Sequence, residues 1–458
     1  MGHDLRGFLA GIDDLLLRVA RPVDIDVVCA LIAQAGRPIL FEAIEGFSGW
    51  SLCDLLFRDR AVQARVLGTT PDRVLATLSE RLAMPPRPPK RIARDAAGAR
   101  VLAGGDIDLR RLPGFQHGAR DPGRCLIAMT VCRPPDDGAA NFAFTRLYPI
   151  DANRATYLIG SSPHMRAMLA AWEARGEPMP MALVIGTHPA FEIMASYSVP
   201  THLERFGELE MVGNLLGADA ELVRCETVPL DVPARAEVVI EGVVQPGVRA
   251  EDPWGPSQYL YYHPGASQQP VFEARLMATR AEPILRQHAT TPFTDHQSLL
   301  SLPHEAILWG RLREQGIPVR DVLYVPWGGT LTCVVQMTPE YEGQVADALM
   351  HLLSSRWPAT KMAIAVDEDV DIADAADLHW ALATRVDPAK DVFIVPNGRG
   401  HRGDPSSTPV DGAPGRTTVG KWGIDATRPP LSRAADRPRF DRALPKHYRN
   451  VRLSDYLR

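Results

Sequence analysis

Asn141-Phe-Ala-Phe-Thr-Arg146, followed by Pro163-His164, decides how this chain is read. An amide, a guanidinium and an imidazole fall within twenty-four residues, among apolar and small neighbours. The run from Phe142 to Tyr148 is apolar and strand-like, and its period of two puts Phe144, Arg146 and Tyr148 on one face. Charged side chains are rarely buried unless paired, so an Arg here either faces solvent or holds a carboxylate or phosphate. Downstream, Glu208, Glu251 and Lys361 are polar residues in apolar or Pro/Gly-rich settings. With Asn141 and His164 they offer oxygen and nitrogen ligands for a hard cation and a cation for a phosphate. Asn141, His164 and Glu208 would suit Mn or Mg better than a thiolate-seeking metal. Spacing alone leaves blander readings open: a strand Asn, a helix-capping His, a surface Glu and a solvated Lys at a strand start.

Around that stretch the pattern is one of short strands. Leu126 to Cys132, Asn141 to Pro149, Ala182 to Gly186, Glu221 to Pro229 and Glu237 to Glu241 are apolar or alternating runs bounded by Gly, Pro and Asp. His164 to Arg175 reads as a helix between them. So many strands in one block predict a barrel or sandwich. Before it, Asp4 to Val19 has helical spacing, Arg37 to Phe41 is β-like, and Ala61 to Leu82 is helix interrupted at Gly68 and Pro71. The run Pro85 to Pro89 is a connector, since each proline removes a backbone donor. After about residue 285, helices at Glu305 to Gln315, Tyr341 to Ser354 and Asp374 to Thr384 alternate with strands. Those strands are Val322 to Pro326, Leu331 to Met337 and Met362 to Val366, the order of a layered α/β domain. Gly398 to Gly420 reads as loop, and Val451 to Leu457 as a tail able to dock on another subunit. The expected architecture is therefore α/β (α+β overall): an N-terminal α+β domain over 1–105, a central β-barrel domain over 106–285 and a C-terminal α/β domain over 286–458.

The 458 residues carry a net charge of −5, with 45% hydrophobic and 23% charged residues. Neither nucleic acid nor an anionic membrane is an expected partner at that charge. No signal peptide opens the chain and no apolar run reaches the length of a membrane span, so a cytoplasmic location is expected. The six cysteines show no C-x-x-C spacing and read as reduced core residues. The acidic run Asp367-Glu-Asp-Val-Asp371 lacks the spacing and central Gly of a calcium loop.

From end to end the motifs resemble the UbiD family. D-L-R-G-F-L at Asp4, R-P-I-L-F-E at Arg37, D-I-D-L-R-R-L-P at Asp106 and N-F-A-F-T-R at Asn141 are similar to its successive segments. So are E-L-E-M-V-G at Glu208, V-V-I-E-G at Val238, V-D-E-D-V-D-I-A-D at Val366, W-A-L-A-T-R at Trp380 and G-I-D-A-T at Gly423. The resemblance implies a split β-barrel that holds prenylated FMN, and non-oxidative decarboxylation of an α,β-unsaturated or (hetero)aromatic acid. It implies Asn141, His164 and Glu208 as ligands of Mn2+ or Mg2+ at the flavin phosphate, with K+ held by backbone oxygens near Ala195 and Ser196. Phe144, Thr145, Arg146, Pro163 and Lys361 would complete the cofactor site, with Lys361 on the phosphate. Arg146 and Glu251 would be catalytic. A flavin prenyltransferase would supply the cofactor, and a homodimer or higher homo-oligomer is expected.

One departure stands out. The family's turn reads E-G-P-F-G-E or E-G-P-F-G-D and ends in a proton donor; here it reads Glu251-Asp-Pro-Trp-Gly-Pro256. Proline cannot transfer a proton. Glu251 itself, Asp252, His263 or water would have to serve, and Pro256 as an apolar wall would favour a more hydrophobic acid. Two rival readings follow: a related lyase protonated from solvent, and a non-catalytic flavin-binding subunit of a larger complex.

Overall fold

The computed structural model describes residues 3–93, 100–136, 138–159, 163–197, 207–253, 265–291, 294–355, 360–401, 403–413, 416–446, 450–451 and 453–456. Helix α1 (Leu5–Gly11) is capped by Asp4, which accepts from the Gly7 N–H. The helical spacing expected to reach Val19 stops early, because β1 (Leu17–Val19) pairs in parallel with β2 (Ile39–Phe41). Sheet pairing overrides local periodicity there. Between these strands runs α2 (Ile25–Ala35), and β3 (Ser51–Asp54) returns antiparallel to β2. Helices α3 (Arg60–Leu67) and α4 (Val74–Ala83) part as expected, where Gly68 takes a left-handed φ of 61° and Pro71 starts a 3-10 turn.

The short β4 (Lys90–Arg91) and β5 (Arg100–Ala103) lead into the central domain. Strands β6 (Leu126–Cys132), β7 (Asn141–Pro149) and β8 (Arg154–Tyr157) form a meander, followed by α5 (Pro163–Arg175), β9 (Met179–Ile185), α6 (Pro189–Ala195) and α7 (Glu208–Leu216). Then come β10 (Glu221–Arg224), β11 (Asp231–Pro233), β12 (Val238–Asp252) and β13 (Ser267–Thr279). The order β12-β9-β6-β7-β8-β13, with β13 pairing back to β12, closes a six-stranded barrel as the sequence predicts. Strand β5 extends it from β13, while β11, β10 and β4 make a separate small sheet. Every residue of β6 is buried, and its neighbours alternate between two apolar cores: Met129 and Val131 face one, Ala128 and Cys132 the other.

Strand β14 (Ile284–Arg286) joins the N-terminal sheet beside β3, so that sheet draws on both sides of the barrel in sequence. Helix α8 (His296–Glu314) begins nine residues before the expected Glu305. Its first turns bury His296, Gln297, Ser298 and Ser301, a polar sequence that hides the helix from hydrophobic patterning. The remaining chain is β15 (Val319–Tyr324), β16 (Thr332–Met337), α9 (Gln344–Leu353), β17 (Met362–Val366), α10 (Ala375–Arg385), β18 (Val392–Arg399), β19 (Thr408–Pro409) and β20 (Thr417–Ala426). These strands form a mixed sheet in the order β15-β16-β17-β20-β18. The segment read as loop from Gly398 is thus partly sheet: β18 and β20 pair across it, and β19 pairs β20. Asp374 caps α10 by accepting from the Ala376 N–H. All six cysteines are buried and free. Among the described residues no helix is long and apolar enough to cross a membrane.

One ion cluster fastens the N-terminal sheet to the barrel's helices. Arg286, at the end of β14 and 1% exposed, donates through Nη1 to Asp54 Oδ1 at 2.5 Å and through Nε to both Glu192 oxygens at 3.3 Å. Asp54 ends β3 and Glu192 lies on α6. Arg286→Met strands two buried carboxylates, and breaking such a pair from one side costs ~3–5 kcal/mol. We expect a large fall in Tm, and recovery of much of it in the triple variant with Asp54→Asn and Glu192→Gln. An unchanged Tm in Arg286→Met would show that the cluster fastens nothing.

Candidate active site

Strand β7 carries the site, and each of its neighbours is brought in for a local reason. Asn141 opens the strand opposite Cys132 and is buried, with its Nδ2 unpartnered among the described residues. A Cβ on Gly207 would meet the Ala140 carbonyl oxygen at 2.0 Å, so only glycine lets the start of α7 approach β7 this closely. That approach puts Glu208 Oε2 3.0 Å from the Phe142 N–H, which donates to it, and buries the carboxylate. Glu210 closes the turn by accepting from the Gly207 N–H at 2.9 Å. His164 is the second residue of α5 and half-buried. Its neighbour Met165 seats the helix on the barrel, its sulfur accepting from Thr130 Oγ1 and Tyr157 Oη.

Five residues along from Asn141, Arg146 lies on the strand's other face. Its Nη2 donates to Asp252 Oδ1 at 2.6 Å, and Thr156 Oγ1 donates to Asp252 Oδ2 at 2.7 Å. All three side chains are buried, Asp252 completely. The guanidinium lies 5.0 Å from the Tyr148 ring centroid, and its Nε and Nη1 have no partner among the described residues. The Phe144 ring meets His288 edge-on at 4.7 Å. Thr145 points the other way and donates to the Leu158 carbonyl at 3.1 Å.

Arg146 and Lys361 both meet carboxylates of the chain itself. Arg146 does not hold Glu251: that side chain is exposed, and its neighbour Asp252 occupies the inward face of β12. Adjacent strand residues point to opposite faces, so only one of the two acids can turn inward. Lys361 sits where β17 begins, and its ammonium is engaged by Asp404 at 3.0 Å and Ser406 at 2.5 Å, within the C-terminal domain. The Ser196 hydroxyl donates to the carbonyls of Ile193 and Leu299. Trp254, Pro256, His263 and the side chain of Pro163 lie outside the described residues.

A second group beside β7 escaped the sequence reading. His117 Nδ1 accepts from the Thr290 N–H at 2.9 Å, and burial, with His296 and Arg146 nearby, holds its pKa down to about 3. Burial likewise keeps His288 neutral, while Glu192, 3.7 Å from His288 Nε2, is pushed up to about 7 by burial. These residues share no motif spacing. The available signal was the polar run Thr294-Asp-His-Gln297, every member of it buried.

The donors suit a hard divalent ion: an amide, an imidazole and a carboxylate, with the nearby Cys132 thiol pushed up to about 12 by burial and so kept as a thiol. Among the described residues no three His, Cys, Asp or Glu form a ready metal cage; the set at β7 includes two of those types and relies on Asn141 for the third ligand.

Residues 91–293 match the family model described as the 3-octaprenyl-4-hydroxybenzoate carboxy-lyase Rift-related domain, and 297–426 match the C-terminal domain of the same carboxy-lyase. Over 329 residues the chain is 32% identical to the anhydromevalonate phosphate decarboxylase of Methanothermobacter thermautotrophicus, covering 71% of this chain and 74% of that protein. Among solved structures it resembles the UbiD-class enzyme HmfF from Pelotomaculum thermopropionicum in complex with FMN, with a TM-score of 0.87 and 31% identity over 99% of this chain and 100% of that one. The apo 3,4-dihydroxybenzoic acid decarboxylase AroY of Klebsiella pneumoniae matches with a TM-score of 0.87 and 26% identity over 99% of each chain. The protein belongs to the UbiD family of carboxy-lyases.

Two outcomes test this geometry. Gly207→Ala should push α7 off β7 and break the Phe142–Glu208 bond, seen as a shift of the Phe142 amide resonance and a lowered Tm. His117 is held at about 3 in the fold against 6.5 when free, so it binds fewer protons folded than unfolded. Its contribution to stability is complete above pH 6.5 and is lost as pH falls toward 3. His117→Gln keeps an acceptor for Thr290, so its Tm should fall less between pH 7 and pH 5 than the wild-type Tm does.

Proposed function

We propose that the protein is a prenylated-FMN-dependent, non-oxidative decarboxylase of an α,β-unsaturated or (hetero)aromatic carboxylic acid. The observation that carries this is the buried Arg146–Asp252 pair, whose guanidinium keeps Nε and Nη1 for a further acceptor. The substrate carboxylate is the natural acceptor, since charge-assisted hydrogen bonds to a guanidinium orient as well as bind. Asp252, hydrogen-bonded to the Arg146 that would hold the substrate, would supply the proton that replaces CO2. This assigns to Asp252 the role that Pro256 cannot fill.

Asn141, His164 and Glu208 would hold Mn2+ or Mg2+ against the flavin phosphate, with Phe144 and Thr145 lining the cofactor's strand and Pro163 preceding the ligand helix. Lys361 would reach the phosphate only by leaving Asp404. K+ would sit near Ala195 and Ser196. The bound cofactor would supply the electron sink for loss of CO2; the chain supplies orientation, exclusion of water and the proton. Support for the flavin comes from HmfF, solved with FMN and, in an evolved dimeric form, with prFMN. A flavin prenyltransferase would load it, and a homodimer or larger homo-oligomer is the expected assembly.

In enzyme co-produced with a prenyltransferase, Asp252→Asn should lower kcat by about 10²–10⁴-fold, the usual worth of a general acid. Glu251→Gln should cost less. A reversed order would return the proton to Glu251. His164→Ala and Glu208→Ala should each lower metal and flavin content, and full occupancy in both would remove the metal assignment.

A further inference from the structure

A surface cavity of about 480 Å3 reaches down to two residues that contact the buried pair. Its exposed rim includes Arg110, Arg124, Ile150 and Glu251, and its buried floor includes Tyr148 and Thr156. Those two floor residues face each other across the β7–β8 ladder. Behind them lie Arg146, under the Tyr148 ring, and Asp252, bonded to the Thr156 hydroxyl. Thr156 is thus a cavity-lining residue on one side and the hydrogen-bond partner of Asp252 Oδ2 on the other.

Decarboxylation sets a requirement at this point. The bond from carbon to CO2 breaks, its electron pair stays on carbon, CO2 leaves, and a proton from an acid makes the new C–H bond. Each turnover therefore leaves the acid one proton short, and water must restore it. Asp252 is closed to solvent, and one of its oxygens is taken by Arg146, which has no proton to give at ordinary pH. The other oxygen meets Thr156. A hydroxyl both donates and accepts, so it can pass its proton to Oδ2 while accepting one from water in the cavity.

We propose that Thr156 is a positioning residue that recharges Asp252 with protons from this cavity. The proposal rests on the reading of Arg146 and Asp252 as the reaction centre. It makes the cavity a proton port. Valine at 156 keeps the shape and removes the hydroxyl; serine keeps the hydroxyl.

The test uses the flavin-loaded enzyme and its Thr156→Val, Thr156→Ser and Asp252→Asn variants. Thr156→Val is expected to lower kcat about tenfold, a part of the general-acid contribution, with KM little changed and a larger solvent isotope effect in D2O. Thr156→Ser is expected to restore both. In unloaded protein carrying 13C-labelled aspartate, the Asp252 carboxylate infrared band should shift in Thr156→Val and return in Thr156→Ser. If Asp252→Asn is inactive while Thr156→Val keeps the wild-type kcat and isotope effect, the relay is overturned and the reaction centre stands. Equal losses in the Val and Ser variants, with a lowered Tm, also overturn it by making Thr156 merely structural. Full activity in Asp252→Asn overturns the reaction-centre reading itself.

Discussion

A single guanidinium without access to water governs how the parts of this molecule meet. Arg286 ends one strand of the N-terminal sheet and must satisfy Asp54 from the neighbouring strand and Glu192 from a barrel helix. None of the three can regain water while the fold is intact, so the arginine is the cation against which both carboxylates are set. Asp54 also accepts from the Leu55 and Ala289 amides, and Asp295 accepts from the Phe57 amide. The cluster therefore fixes backbone as well as charge. It specifies which strand edge faces which helix, a task that apolar packing performs with less discrimination.

The chain leaving Arg286 carries that constraint to the site. His288 lies two residues on and presses its ring against Phe144, while Thr290 donates to His117. The apolar cluster on one face of β7 and the ion cluster behind it are thus joined by a few residues of backbone. Both histidines are held neutral by burial, so they add hydrogen-bonding capacity beside Arg146 without adding positive charge. The site's charge is left to the arginine and its aspartate.

Much of this was legible in the sequence. The strand from Asn141 to Pro149 and the helix after Pro163 follow from period and punctuation; the number of short strands gives barrel or sandwich, the family resemblance selects the barrel, and the helix opening at Glu208 was not read. The inward acid was not legible, because Glu251 and Asp252 differ by one position and a one-residue change reverses a strand's faces. The start of α8 was hidden because its first turn is polar yet buried. Asp54, Glu192 and Arg286 stand far apart in the chain, and no spacing rule links residues that only the closed fold brings together. Lys361 was visible as a cation, but its partner Asp404 lies across a segment that reads as loop.

The two buried arginines differ in how many of their donors the fold uses. Arg286 serves two carboxylates and a backbone carbonyl, and only its Nη2 lacks a partner among the described residues. Arg146 serves one carboxylate and keeps two nitrogens unpartnered among the described residues. Leaving buried donors unmet costs roughly 1–3 kcal/mol for each group. On the proposed reading a bound carboxylate would remove that cost, so part of its binding energy would already be stored in the unfilled guanidinium. That term would act on the acid group of any substrate and would leave the rest of the molecule to be selected elsewhere in the pocket.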